Sequence, residues 1–210
     1  MIHALARLKG LGSTLRAERR PKHSALGLRK IKVKGDKKIM KPGQRELKIE
    51  LRGETEVIMT RYFDAPRQLV FDCHTKPELM RRWLIGPPNM KLEIREHDLK
   101  AGGKYLYVYA GTEGQAMGVY GKFLEVIEPE RVSNTENYAM DMAVFDPQAP
   151  EDAAATVESR TFTAEGTLTL LRHVTRYASA EIRKVVLESG AVDGWVPCYL
   201  ELDKLLKDLG

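Results

Sequence analysis

Tyr105, Tyr107 and Tyr109 recur at every second residue, which on a β-strand sends all three rings to one face and Leu106 and Val108 to the other. A buried tyrosine brings an apolar ring and a hydroxyl that needs a partner. Three in alternation therefore suit a cavity with an apolar wall and polar handles. A second set, Trp195, Tyr199, Leu202 and Leu206, follows i, i+4, i+7, i+11 and shares one helix face. Such aromatics either line a pocket or fill a core. Acid–base candidates are fewer. In Arg95-Glu96-His97-Asp98, strand alternation puts both carboxylates on one face and the imidazole on the other. Paired carboxylates suit acid–base work. The plainer reading has Asp98 stabilising the Gly102-Gly103 turn and Glu96 solvated or lining a pocket. His173, in a late strand pattern, is either a core histidine or a site group.

The familiar catalytic signatures are missing. There is no Gly-x-Ser-x-Gly elbow, no phosphate-binding loop, no His-Glu-x-x-His and no Gly-x-Gly-x-x-Gly after a strand. His74 beside Cys73 is no chelating pair, because adjacent positions of a helix point apart. The acidic loop Asp141–Asp152 lacks the calcium-loop pattern. No metal and no cofactor are expected.

The elements that must position these residues follow in a clear order. Glu54–Phe63 reads as a strand, stopped at Asp64-Ala-Pro66, where Asp64 is expected to cap a short helix that breaks near Thr75. Lys76-Pro77-Glu78-Leu79 opens a second short helix through Trp83, ended by Gly86-Pro87-Pro88. Period-two segments follow at 90–99, 104–110, 115–127, 131–140, 156–164 and 166–177. Lys100-Ala-Gly102-Gly103 reads as a tight hairpin turn, with both glycines supplying positive φ. Ser179 is a good N-cap for one long amphipathic helix running nearly to the C-terminus, about 45 Å if straight, with Pro197 expected to kink it. Gly190 and Gly194, four apart, are expected to let that helix approach the sheet closely.

Charge divides the chain in two. Residues 1–50 hold fifteen Lys and Arg against four Asp and Glu, a net of +11; with the whole at +5, the remaining 160 residues carry −6. The basic character therefore belongs to the N-terminal segment, which is expected to be disordered, and 51–210 to be the folded body. The segment reads as a solvated tail or an upstream extension with Met40 as the start, as a mitochondrial-type targeting peptide, or as an arm for nucleic acid or an anionic surface. Nucleic acid is expected as a partner through that segment or not at all. Two distant cysteines, Cys73 and Cys198, make no disulfide framework, and no apolar run is long enough to span a membrane, so a cytoplasmic location is expected.

Several pieces in order resemble a known group. They are Thr60-Arg-Tyr-Phe-Asp64-Ala-Pro66, Lys76-Pro77-Glu78-Leu79 to Trp83, and Asp98-Leu-Lys-Ala-Gly102-Gly103. Further on come Gly121-Lys-Phe123-Leu-Glu125 through Pro129-Glu-Arg131, Thr135-Glu136, and Tyr177-Ala-Ser179-Ala-Glu181 through Gly194-Trp195. The set resembles the helix-grip fold of the START and birch-pollen-allergen superfamily (SRPBCC), and within it the branch named after the activator of heat shock protein 90 ATPase. The resemblance implies an α+β fold, a curved antiparallel sheet wrapped around a long C-terminal helix with two short helices after the first strand. It also implies an apolar residue where His173 stands. The implied function is non-enzymatic binding of a small hydrophobic ligand, lipid- or polyketide-like, in a cavity between sheet and helix. The ligand-binding set expected there is Trp83, Tyr105, Tyr107, Phe123, His173, Trp195 and Tyr199. Two alternatives stay open: a cyclase or hydratase using His173 or Glu96 as base and a tyrosine as acid, and a chaperone-ATPase-activating or other interaction module with a protein partner or a second copy.

Overall fold

The computed structural model describes residues 46–150, 152 and 154–210. The readings made for residues 1–39 lie outside the described residues. The period-two segments become β2 (Glu56–Phe63), β3 (Met90–His97), β4 (Lys104–Gly111), β5 (Ala116–Ile127), β6 (Arg131–Ala139), β7 (Thr156–Glu165) and β8 (Leu168–Arg176). A strand not read from the sequence, β1 (Lys48–Arg52), precedes them. All eight form one antiparallel sheet in the order β1-β2-β8-β7-β6-β5-β4-β3. The charged β1 lies at the sheet's edge with mostly exposed side chains, the usual way an edge strand avoids further pairing.

Two short helices, α1 (Arg67–Thr75) and α2 (Pro77–Trp83), link β2 to β3. Asp64 does not cap α1. Pro66 holds the cap position, and its carbonyl accepts from the Val70 amide. Trp83 closes α2 and fixes it to α1, its indole N–H donating to the Cys73 carbonyl at 2.7 Å. Between β3 and β4 the two glycines divide the work. Gly102 has φ +82, whereas Gly103 is needed for space, since a Cβ there would stand 1.9 Å from the Asp98 carbonyl oxygen.

The C-terminal helical segment is long but not continuous. Ser179 caps α3 (Ala180–Glu188), accepting from the Ile182 amide at 3.2 Å. Gly190, at φ +74 just past the cap, ends it in the left-handed turn that commonly closes helices. A single helical turn (Val192–Gly194) then leads into α4 (Trp195–Leu209). The one long helix expected from Ser179 onward is therefore two helices joined by a turn. The kink assigned to Pro197 does not arise either, because Pro197 falls in the first turn of α4, where an amide N–H has no helical acceptor to lose. Gly190 serves its φ rather than close approach; the nearest atom to a Cβ there is an Asp193 carboxylate oxygen at 3.8 Å.

Helix α4 lies over the inner face of the sheet with Trp195, Cys198, Tyr199, Leu202, Leu205 and Leu206 buried. Arg61 of β2, itself buried, holds it there: its guanidinium donates to the Tyr199 carbonyl at 2.9 Å and pairs with Asp203. The whole is an α+β helix-grip fold. No described helix is long and apolar enough to cross a membrane.

Candidate functional site

Two hollows lie between the sheet's inner face and the helices, and they share Glu136 and Trp195 as walls. The smaller is about 70 Å³ and contains the aromatic ladder. Tyr105, Tyr107 and Tyr109 do share a face and line it, together with Trp83, Phe123 and Trp195. Two of the three hydroxyls are already engaged: Tyr105 donates to the Thr135 carbonyl at 2.6 Å and accepts from the Asn134 amide at 3.1 Å. Tyr107 donates to His97 Nδ1 at 2.7 Å, while His97 Nε2 donates to the Thr75 carbonyl at 2.7 Å. Burial lowers the His97 pKa, which keeps the ring in the neutral form this pattern needs. A register shift between Ile94 and Glu96 helps turn His97 inward. Glu96 and Asp98 are exposed and border neither hollow, so Glu96 is no base for this interior. Lys100 pairs with Asp98 at 2.8 Å beside the turn.

The larger hollow is about 400 Å³, within the range of small-ligand sites. Val57 and Met59 of β2 and Ile182 and Val186 of α3 give it apolar walls; Glu136, Tyr138, Glu158 and Thr175 give it polar ones. Of the seven residues expected to bind ligand, Trp195 alone borders this space. Trp83, Tyr105, Tyr107 and Phe123 are gathered around the smaller one, and His173 and Tyr199, 0% and 1% exposed, border neither. His173 meets Trp195 edge-on at 5.1 Å, and Tyr199 stacks on the same indole at 5.4 Å. They support the wall that Trp195 forms.

A buried ionic row crosses the inner face where the hollows meet. Sequence reasoning had passed over it. Asn134 and Glu136 come from β6, Glu158 and Arg160 from β7, and His173 from β8, with Asn134 opposite Glu158 and Arg160 opposite His173 in the register. Arg160 pairs with Glu158 and donates to Asn134 Oδ1 at 3.2 Å. His173 Nε2 stands 3.2 Å from a Glu158 oxygen but off the line of a hydrogen bond. The Tyr138 hydroxyl donates to Glu136.

The two glutamates are driven apart. Burial alone would raise Glu158, but Arg160 outweighs it and holds the carboxyl down to about 2. Burial lowers the pKa of His173, leaving the ring neutral and Arg160 as the working counter-charge. For Glu136 the balance is reversed: burial, then repulsion from Glu158, outweigh the Tyr138 hydrogen bond and a weaker pull from Arg160 and push it up to about 8. A carboxyl that exchanges its proton near neutral pH thus stands between the hollows. His74 is a second interior imidazole the sequence reading left aside. Ringed by Phe63, Trp83, Phe162 and Tyr199, it is pushed by burial down to about 3.

The sequence profile of the family described as Activator of Hsp90 ATPase homolog 1-like protein matches residues 64–207. The chain belongs to this family. Among solved structures, protein Ms6760 from Mycobacterium smegmatis is similar at 26% identity and a TM-score of 0.66, over 79% of this chain and 100% of that one. A protein from Rhodobacter sphaeroides is similar at 23% identity and a TM-score of 0.67, over 79% of this chain and 100% of that one. The AHSA1 protein from Silicibacter pomeroyi is similar at 18% identity and a TM-score of 0.56, over 74% and 99%. At those two identities the likeness is one of fold. No curated protein matches the sequence. The family match begins after β2, so β1 and the apolar wall that β2 supplies, Val57 and Met59, lie ahead of it. Among the described residues no cluster of three or more His, Cys, Asp or Glu is placed to hold a metal ion.

Proposed function

We propose that the chain binds a small hydrophobic ligand in the larger hollow, between β2, β6–β8 and α3. The observation that carries this is the hollow itself: about 400 Å³, walled by Val57, Met59, Ile182 and Val186, with a few polar groups converging at one side. A core without a ligand to hold would be expected to close such a space, because interiors pack to the density of organic crystals. Ile182 and Val186 of α3, Ala191 and Val192 just past the break at Gly190, and Trp195 at the start of α4 all border the hollow.

One observation favours proton-transfer chemistry in the same space, as a cyclase or hydratase would need. The Glu136 carboxyl, raised to about 8 and bonded to Tyr138, is poised to give or take a proton near neutral pH. This replaces the earlier candidates for base, since His173 borders neither hollow and Glu96 lies outside. Chaperone-ATPase activation comes to this chain by the family's name alone. The two buried free thiols, Cys73 and Cys198, fit a reducing cytoplasm.

The test is a titration of the purified protein with the neutral apolar probe N-phenyl-1-naphthylamine, read by energy transfer from tryptophan. Saturable binding of one probe per chain is expected, displaced by apolar compounds. No saturable binding, with native mass spectrometry showing no co-purified small molecule, would remove the reading.

A further inference from the structure

The wall of the larger hollow is one-sided in charge. Glu136, Glu158 and Asp152 border it, and no Lys, Arg or His does among the described residues. Arg160, the one interior cation nearby, borders only the smaller hollow and is committed to Glu158 and Asn134. Glu136 is therefore left over. It is 9% exposed, it accepts one hydrogen bond, from Tyr138, and its other oxygen has no partner among the described residues. Three aromatic side chains border the same space: Trp195, Tyr138 and Tyr177. Arg160 already stands 5.9 Å over the Trp195 ring, a cation–π contact made beside the smaller hollow.

We propose that the ligand is a hydrophobic organic cation, an amine whose charged head sits against Glu136 and the aromatic rings while its apolar body lies along Val57, Met59 and α3. This rests on the ligand-binding reading above and narrows it. A fatty acid or other anion would enter a wall that offers it two buried carboxyls and no free cation. A cation instead supplies the counter-charge that Glu136 lacks, and ring faces attract it further. A buried carboxyl with no cation paired to it tends to keep its proton, and a cation bound against it releases that proton.

The groups facing Glu136 leave it as the one that titrates between about pH 6 and 8. Tyr138 on its own strand, Tyr105 and Tyr109 on β4, and Tyr177 beyond β8 are all raised by burial. Glu158 on β7 is held ionised and Arg160 charged. His173 on β8, behind Glu158, is kept neutral. An alkylamine stays charged to about pH 10. Its affinity should therefore rise with pH up to the Glu136 pKa, by as much as about tenfold per unit.

Three isosteric probes decide it: 4-phenylbutylamine, 4-phenylbutanol and 4-phenylbutyrate, titrated against the full chain by calorimetry at several pH values. The amine is expected to bind at least about tenfold more tightly than the alcohol at pH 8, and the acid most weakly. The amine's advantage should shrink toward pH 6, with close to one proton released per amine bound. In Glu136→Gln the amine should fall to within about threefold of the alcohol measured on the same variant. Alcohol or acid binding as tightly as the amine would overturn the cation proposal and leave the ligand-binding reading standing. Failure of all three, with the neutral naphthylamine probe also unbound, would remove both.

Discussion

Glu136→Gln should change how stability depends on pH, and the size of the change follows from where Glu136 sits. Its pKa rises from an ordinary 4.5 to about 8 in the fold because burial and Glu158 oppose its charge. A raised carboxyl pKa means that the folded state holds a proton the unfolded chain has already released. This group's contribution is therefore full at low pH and lost as pH rises from about 4.5 to about 8. Below about pH 6.5 the interior imidazoles act in the opposite sense. His74 and His173 have lowered pKa values, so unfolding takes up protons there and stability rises with pH. The clean window is about pH 7 to 8, where Glu136 dominates. At about 1.4 kcal/mol per unit, and with Glu136 passing from mostly protonated to half, the parent should lose about 1 kcal/mol across that single unit. Glutamine keeps the shape and an acceptor for Tyr138 but does not titrate, so the variant's curve should be nearly flat. The assay is urea unfolding at closely spaced pH values. For a domain of this size about 1 kcal/mol is also worth about 2–4 °C in Tm. Parallel curves for parent and variant would refute the argument, because Glu136 would then be ionised or solvated in the fold.

Other perturbations bear on the same interior. Glu158→Gln removes the carboxylate that pairs with Arg160 and should cost about 3–5 kcal/mol. Because the folded pKa of Glu158 is depressed, the parent's acid loss as pH falls from about 4.5 toward 2 should be blunted in the variant, which acid denaturation would show. Trp195→Ala takes out the wall between the hollows and should cost about 3–5 kcal/mol in chemical unfolding, with loss of most energy transfer to a bound probe. Ser179→Ala removes the acceptor for the Ile182 amide at the start of α3 and should cost about 1 kcal/mol. Hydrogen exchange in α3 should rise accordingly while α4 stays protected.

The sheet was legible because its strands alternate cleanly, and the short helices because Pro66, Pro77 and the Gly86-Pro87-Pro88 stop punctuate them. β1 was missed for a physical reason. A five-residue edge strand with three charged side chains carries only Ile49 and Leu51 as apolar signal, and that sits in the shadow of a basic segment. The helix break was written in Leu187-Glu-Ser-Gly190 as an ordinary C-cap, but continuous amphipathicity on both sides hid it. The aromatic face was read correctly as a face, yet a row of large rings closes space as readily as it encloses it. Tyr105 and Tyr107 engage Asn134, Thr135 and His97 rather than a ligand. The ionic row was readable in part. Glu136 shares a strand face with Val132, and Glu158 and Arg160 share one with Phe162, so charges alternate in phase with core residues. Glu158 and Arg160 are two apart on one strand, so that pair is local; that Glu136 comes to lie beside it depends on the cross-strand register of β6 on β7, which no local pattern encodes.

If the space under α3 holds a small hydrophobic ligand, Val186→Phe should block it, since Val186 borders the larger hollow from α3 and takes no part in the ionic row. The larger ring should occupy the space with the fold retained by circular dichroism. Calorimetric binding of N-phenyl-1-naphthylamine, and of any apolar compound that displaces it, should then weaken by at least about tenfold. Binding to a folded Val186→Phe at the parent's affinity would contradict the account.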